Sequence, residues 1–130
     1  MAAIKRFEDL ECWKSARDLC ANIFQATNSG TFIKDFSLKD QILRSSGSTM
    51  DNIAEGFERG GNKELIQFLF IAKASCAEVK SQLYRAKDRK HISESEFMEL
   101  YNISTQTSKL IHGFIACLSN AEHRGFKHNK

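Results

Sequence analysis

No proline occurs anywhere in this 130-residue chain, and that absence constrains the fold more than any residue present. Proline belongs in turns, and a many-turned β-protein or a disordered chain is ordinarily enriched in it. Without it helices can run unbroken. Apolar residues do recur at three- and four-residue intervals through four stretches, the spacing of a helix with one buried face. The first is predicted over 8–28, with Trp13, Ala16, Cys20, Ile23 and Phe24 inward and Asn28-Ser29-Gly30 as its stop. The second spans 37–60. It opens on Ser37 and Asp40, a capping box with aspartate in place of glutamate, and ends at Gly60-Gly61. Its inner face is Ile42, Ser46, Thr49, Ile53 and Phe57, and Ser45, Ser46 and Gly47 leave room for a close neighbour.

The third stretch, 62–89, carries Glu64 in its first turn, where the helix dipole favours an acid. Leu65, Phe68, Leu69, Ala72, Cys76, Val79 and Leu83 form its face. The fourth, 93–121, opens on Ser93 and Glu96, a full capping box. Its face runs from Phe97, Leu100 and Tyr101 through Ser104, Ser108 and Ile111 to Phe114, Ile115 and Leu118. Short links make sequential helices antiparallel neighbours. The expected fold is therefore all-α, an up-down-up-down antiparallel four-helix bundle in one domain, 1–130, with a short basic tail over 122–130.

No apolar run approaches the roughly 18 residues a membrane helix needs, and no secretion signal opens the chain. Cys12, Cys20, Cys76 and Cys117 form no CxxC pair and lie near no histidine at ligand spacing. They read as buried, reduced thiols in a cytoplasmic protein. The sequence holds no nucleophile elbow, phosphate loop or HExxH motif. We therefore expect no enzyme, no catalytic residue, no metal or cofactor and no small-molecule substrate. The formal charge of +3 permits contact with nucleic acid without requiring it.

Three surface features stand out. Gln41, Arg44, Ser48, Asn52, Glu55 and Arg59 share one stripe of the second helix. It is either a solvated face with a Glu55–Arg59 pair or a polar seam engaged by another helix or subunit. Lys73, Lys80 and Lys87 recur every seven residues on the third helix, with Arg85 and Arg89 near the same end. They are either a solvated flank whose stems cover apolar surface or a phosphate-binding strip. Ile66 and Phe70, one turn apart and followed by Ala74 and Ala77, suggest a second packed surface between copies of the chain.

On the second helix, Gln41, Arg44, Ser48, the run Asn52-Ile53-Ala54-Glu55-Gly56 and Arg59 resemble the signature of the 23S rRNA intervening-sequence proteins. Phe7, Leu10 and Trp13, then Phe32, Lys34, Asp35 and Leu38, then Phe68, Leu69, Ile71-Ala72, Ser75 and Glu78 extend the resemblance over residues 7 to 118. Many members carry a proline-containing segment before the second helix, which this chain lacks.

The resemblance implies a ring-like homopentamer of bacterial four-helix bundles. Arg44, Ser48, Asn52, Glu55, Gly56 and Arg59 would then order the second helix rather than perform chemistry. Relatives serve as accessory proteins of diversity-generating retroelements, binding a reverse transcriptase and nucleic acid. Our expectation is a homo-oligomeric adaptor that binds RNA, or DNA, by charge. The alternative is a protein-interaction module, an accessory subunit of a reverse transcriptase. Ile66 and Phe70 are the oligomer contacts, and Lys73, Lys80, Arg85, Lys87 and Arg89 the nucleic-acid contacts.

Overall fold

A computed structural model describes residues 4–128, with side chains through Ala121. Four helices fill it: α1 (Glu11–Thr27), α2 (Phe36–Glu58), α3 (Asn62–Asp88) and α4 (Glu94–His128). One-turn 3-10 helices at Phe7–Asp9 and Phe32–Lys34 precede α1 and α2. The fourth helix passes residue 121, where the sequence reading ended it. From 119 to 124 the chain offers neither glycine nor proline to stop it. The charge expected of the tail lies outside the described side chains.

Cross-helix contacts fix the topology. As residue number rises along α2 it falls along α3, from Gln41–Arg85 through Ser48–Ser75 to Gly56 against Phe68. The same inversion joins α1 to α2 (Asn28–Lys39, then Cys20–Ser46). It also joins α3 to α4, where Lys73 meets His112, Cys76 meets Ser104 and Lys87 meets Glu94. Each helix packs on its sequence neighbours, and α1 closes on α4. The result is an antiparallel, up-down-up-down four-helix bundle.

Two apolar clusters fill it. One holds Leu19, Ile23, Phe32, Ile42, Val79, Leu83 and Phe97. The other holds Trp13, Ala16, Ile53, Leu69, Ile111 and Ile115. Between them runs a belt of small polar side chains. Ser15 and Thr107 share a hydrogen bond of 2.7 Å across α1 and α4, and the Cys20 and Cys76 thiols donate to the Ser46 and Ser104 carbonyls. Ser45, Thr49 and Ser104 return their hydroxyls to the carbonyl four residues back. A hydroxyl satisfied within its own helix takes little volume, so helices close up without an orphaned polar group. The exception among the described residues is Gln82, buried on α3 with no partner for its side-chain oxygen.

Several details differ from the sequence reading. The cap of α2 is Asp35, whose carboxylate accepts from the Leu38 backbone N–H at 3.3 Å; Ser37 lies inside the helix. The Ser93–Glu96 box forms as expected, with reciprocal bonds of 2.9 and 3.0 Å. Phe24 faces outward at 59% exposure, while Leu19 and Thr27 take the inward positions on α1. Gly47 faces open space; the close approach falls at Gly56, where a Cβ would sit 2.5 Å from the Phe68 Cβ. Cys117 is exposed rather than buried. The link between α2 and α3 turns on Gly60 at φ +85°, a conformation glycine adopts without strain.

Candidate functional site

The stripe on α2 combines both readings: the Glu55–Arg59 pair is exposed, while Ser48 and Gln41 meet α3. The Ser48 and Ser75 hydroxyls lie 2.9 Å apart, and Asn52 donates to both the carbonyl and the hydroxyl of Ser48. The Arg85 guanidinium donates to the Gln41 side-chain oxygen at 2.7 Å. Arg59 pairs with Glu55 at 3.0 Å and lies over the Phe68 ring. Arg44 pairs with Asp40 on its own helix. Gln41, Ser48 and Arg59 thus meet side chains of α3, and Gly56 lacks the Cβ that would strike Phe68.

At the α3 end of this seam the Asp35 carboxylate accepts from Arg89 at 2.8 Å and from His91 Nε2 at 2.9 Å. The other imidazole nitrogen lies 2.8 Å from the Thr31 hydroxyl, and the ring stacks on Phe32. The His91 bond, then the Arg89 bond, hold the Asp35 carboxyl down at about 2. Hydroxyl, imidazole and carboxylate stand in relay order, an arrangement invisible in the sequence. Yet the carboxylate is already engaged as helix cap and arginine partner. We read the cluster as a lock fastening the α1–α2 connection to the end of α3. The buried thiols offer no nucleophile either, because burial pushes Cys12 and Cys76 up to about 11 and raises Cys20. Among the described residues no group of three or more His, Cys, Asp or Glu could hold a metal. No described helix is long and apolar enough to cross a membrane.

The basic residues of α3 divide between two flanks. Arg85 and Arg89 belong to the α2 seam, bound to Gln41 and Asp35, and do not extend the lysine row. Lys73, Lys80 and Lys87 lie along the opposite flank, facing α4. Lys73 Nζ is 3.1 Å from His112 Nδ1. Lys80 Nζ sits 5.1 Å from the centre of the Tyr101 ring. Lys87 Nζ sits 4.7 Å from the Phe97 ring centre and pairs with Glu94 at 3.0 Å. The stems thus cover the α3–α4 junction while the ammonium groups reach its rim. Beside Lys73 the junction opens into a groove of about 360 Å³ lined by Lys73, Ser108, Lys109, His112 and Gly113. Lys109 and His112 were missed in the sequence reading. Their i,i+3 spacing on one edge of the fourth helix was the available signal.

Of the two expected oligomer contacts, Phe70 is 53% exposed, as is its neighbour Ile71 at 49%. Ile66 instead packs, partly buried, against the cluster around Trp13. The apolar patch on α3 is therefore Phe70 with Ile71, not Ile66 with Phe70.

The bundle and its α2 signature define a small helical family. The family profile described as "23S rRNA-intervening sequence protein" matches residues 8–113, and the chain belongs to that family. The crystal structure of a protein of unknown function from the S23 ribosomal protein family of Bacteroides thetaiotaomicron superposes with a TM-score of 0.73 at 24% identity. The match covers 80% of this chain and 97% of that one; at such identity it speaks for the fold alone. No curated protein matches the chain.

Proposed function

We propose that this protein is a non-enzymatic, self-assembling adaptor that holds RNA by its phosphate backbone along the α3–α4 flank. One observation carries the reading: Lys73, Lys80 and Lys87 stand in one row, each reaching the rim beside a partner on α4, with Lys109 adjoining. Seven residues of helix separate successive members by about 10 Å. Contacts of this kind position a nucleic acid without reading its sequence. Within the row, Lys87 has an acidic partner in Glu94, so Lys73 and Lys80 are the residues on which binding depends. Self-association is supported by Phe70 and Ile71, large apolar side chains left uncovered side by side. Assembly would multiply a charge of +3 per chain and gather it into a field that attracts polyanions. Four free thiols suit a reducing, cytoplasmic setting.

Light scattering with a short RNA, at low and high salt, tests this reading. The expected result is an oligomer that gains RNA mass at low salt and releases it at high salt. The Lys73→Glu plus Lys80→Glu variant should keep its oligomeric mass and lose the RNA. Equal RNA binding by that variant would overturn the flank as the contact. A monomer indifferent to RNA would overturn the whole reading.

A further inference from the structure

The groove beside Lys73 has a property that charge alone does not convey. An ammonium group has only donors, so at 3.1 Å Lys73 Nζ must donate to His112 Nδ1. In that contact Nδ1 is the acceptor and presents its lone pair. The groove holds the nitrogens of Lys73, Lys109 and His112 and the Ser108 hydroxyl, and among the described residues no carboxylate lines it. Gly113 completes the lining, and a Cβ there would meet nothing within 4 Å, so the groove stays open above the backbone. On its other flank α4 meets α1 through Ser15 and Thr107, and α1 contributes no group to this groove. The charges facing His112 are thus Lys73 from α3 and Lys109 from its own helix.

We infer that this groove is a phosphate seat whose occupation takes up a proton at His112. A phosphate oxygen entering between Lys73 and His112 accepts from the ammonium and ends its donation to Nδ1. Nδ1 can then take up a proton and donate to the phosphate in turn, so up to one proton joins the protein with each anion seated. The bound state holds more protons than the free state, and affinity must rise as pH falls. The linkage can approach tenfold per pH unit for one proton. That the phosphate belongs to an RNA strand rests on the function proposed above; the seat itself does not.

The test follows binding of a fluorescent single-stranded RNA by anisotropy, and of inorganic pyrophosphate by calorimetry, from about pH 8 to about pH 5.5. Calorimetry in two buffers of different ionisation heat counts the protons taken up, and the same titration of His112→Gln subtracts those that pyrophosphate binds itself. For the wild type we expect roughly five- to tenfold tighter binding across that range, with proton uptake. His112→Gln should flatten the pH dependence relative to wild type, and Lys73→Met should weaken binding at every pH. Both residues lie at the surface end of the junction, so neither change threatens the fold, and thermal melting verifies that. RNA binding whose pH slope is unchanged in His112→Gln would overturn the seat while leaving the RNA reading intact. Pyrophosphate bound with proton uptake but no RNA at any pH would support the seat and overturn the RNA reading. Neither ligand bound would overturn both.

Discussion

Helix α3 presents two polar flanks built from similar residues to different ends. Toward α2, three side chains finish on partners: Arg89 on Asp35, Arg85 on Gln41 and Ser75 on Ser48. Toward α4, Lys73 and Lys80 rest beside an imidazole and a phenol ring that offer no countercharge. The first flank spends its polarity inside the molecule; the second keeps it at the rim. What separates them is not charge content but geometry. Arginine's planar fork meets a carboxylate or amide oxygen with fixed directions, whereas lysine's flexible stem lies on apolar surface and leaves a solvated point charge at its tip. The two flanks of one helix are told apart by where their hydrogen bonds end.

The comparison breaks most sharply at Gly56. Valine there would bring its Cβ to 2.5 Å from the Phe68 Cβ and 3.2 Å from Leu65 Cδ1. Overpacking of this kind costs about 1–3 kcal/mol, and valine recovers only a few tenths over glycine in helix propensity. We expect a loss of about 2 kcal/mol, read in thermal melting as a drop of roughly 8 °C. An unchanged melting temperature would mean that the α2–α3 seam is loose enough to widen, and that the signature does not set helix spacing.

A smaller effect is expected at the other end of the same seam, under acid. The Asp35 carboxyl ordinarily titrates near 3.8 and is held at about 2 in the folded chain by the His91 and Arg89 bonds. A carboxyl whose folded value is depressed stabilises the fold above its unfolded value and loses that contribution as pH falls through the folded one. The lock should therefore be intact at pH 4 and above and fail between about pH 4 and pH 2. Partial solvent exposure of Asp35 and Arg89 keeps the effect modest. Melting temperature should fall more steeply through that window in the wild type than in Asp35→Asn, where the titrating group is gone. Parallel acid profiles would show that the cluster does not fasten the end of the bundle.

Much of this architecture is legible in the sequence because helices write their buried face at fixed intervals. Leu65 to Leu83 could be read straight off α3, and the Ser93–Glu96 cap is local, so its partners lie three residues apart. The misreadings fall where a partner comes from elsewhere in the chain. Asp35 prevails over Ser37 as a cap because Arg89 and His91, distant in sequence, also converge on it. Phe24 fits the apolar spacing yet lies outside the core, because spacing cannot say at which edge a stripe ends, and Leu19 and Thr27 fill the space instead. Arg85 was grouped with Lys80 by closeness along the chain, although five residues turn a helix by about 140° beyond one full revolution. Lys109 and His112 become part of the site only once the register of α4 on α3 is known.

The smallest expected effect on stability completes the contrast. Lys80 has its ammonium 5.1 Å from the centre of the Tyr101 ring, an exposed cation–π contact worth about 0.5–1 kcal/mol. Lys80→Met keeps a straight apolar stem over the junction and discards only the charge. Because methionine still covers the ring, we expect a loss of under about 1 kcal/mol, a few degrees at most in thermal melting. If Lys80 instead fastened α3 to α4 as firmly as the opposite seam fastens α3 to α2, the loss would approach that of Gly56→Val. That result would make the row structural and remove the reason for assigning it to a partner. A near-neutral change leaves the ammonium without a structural task and keeps the row available for the proposed contact with RNA.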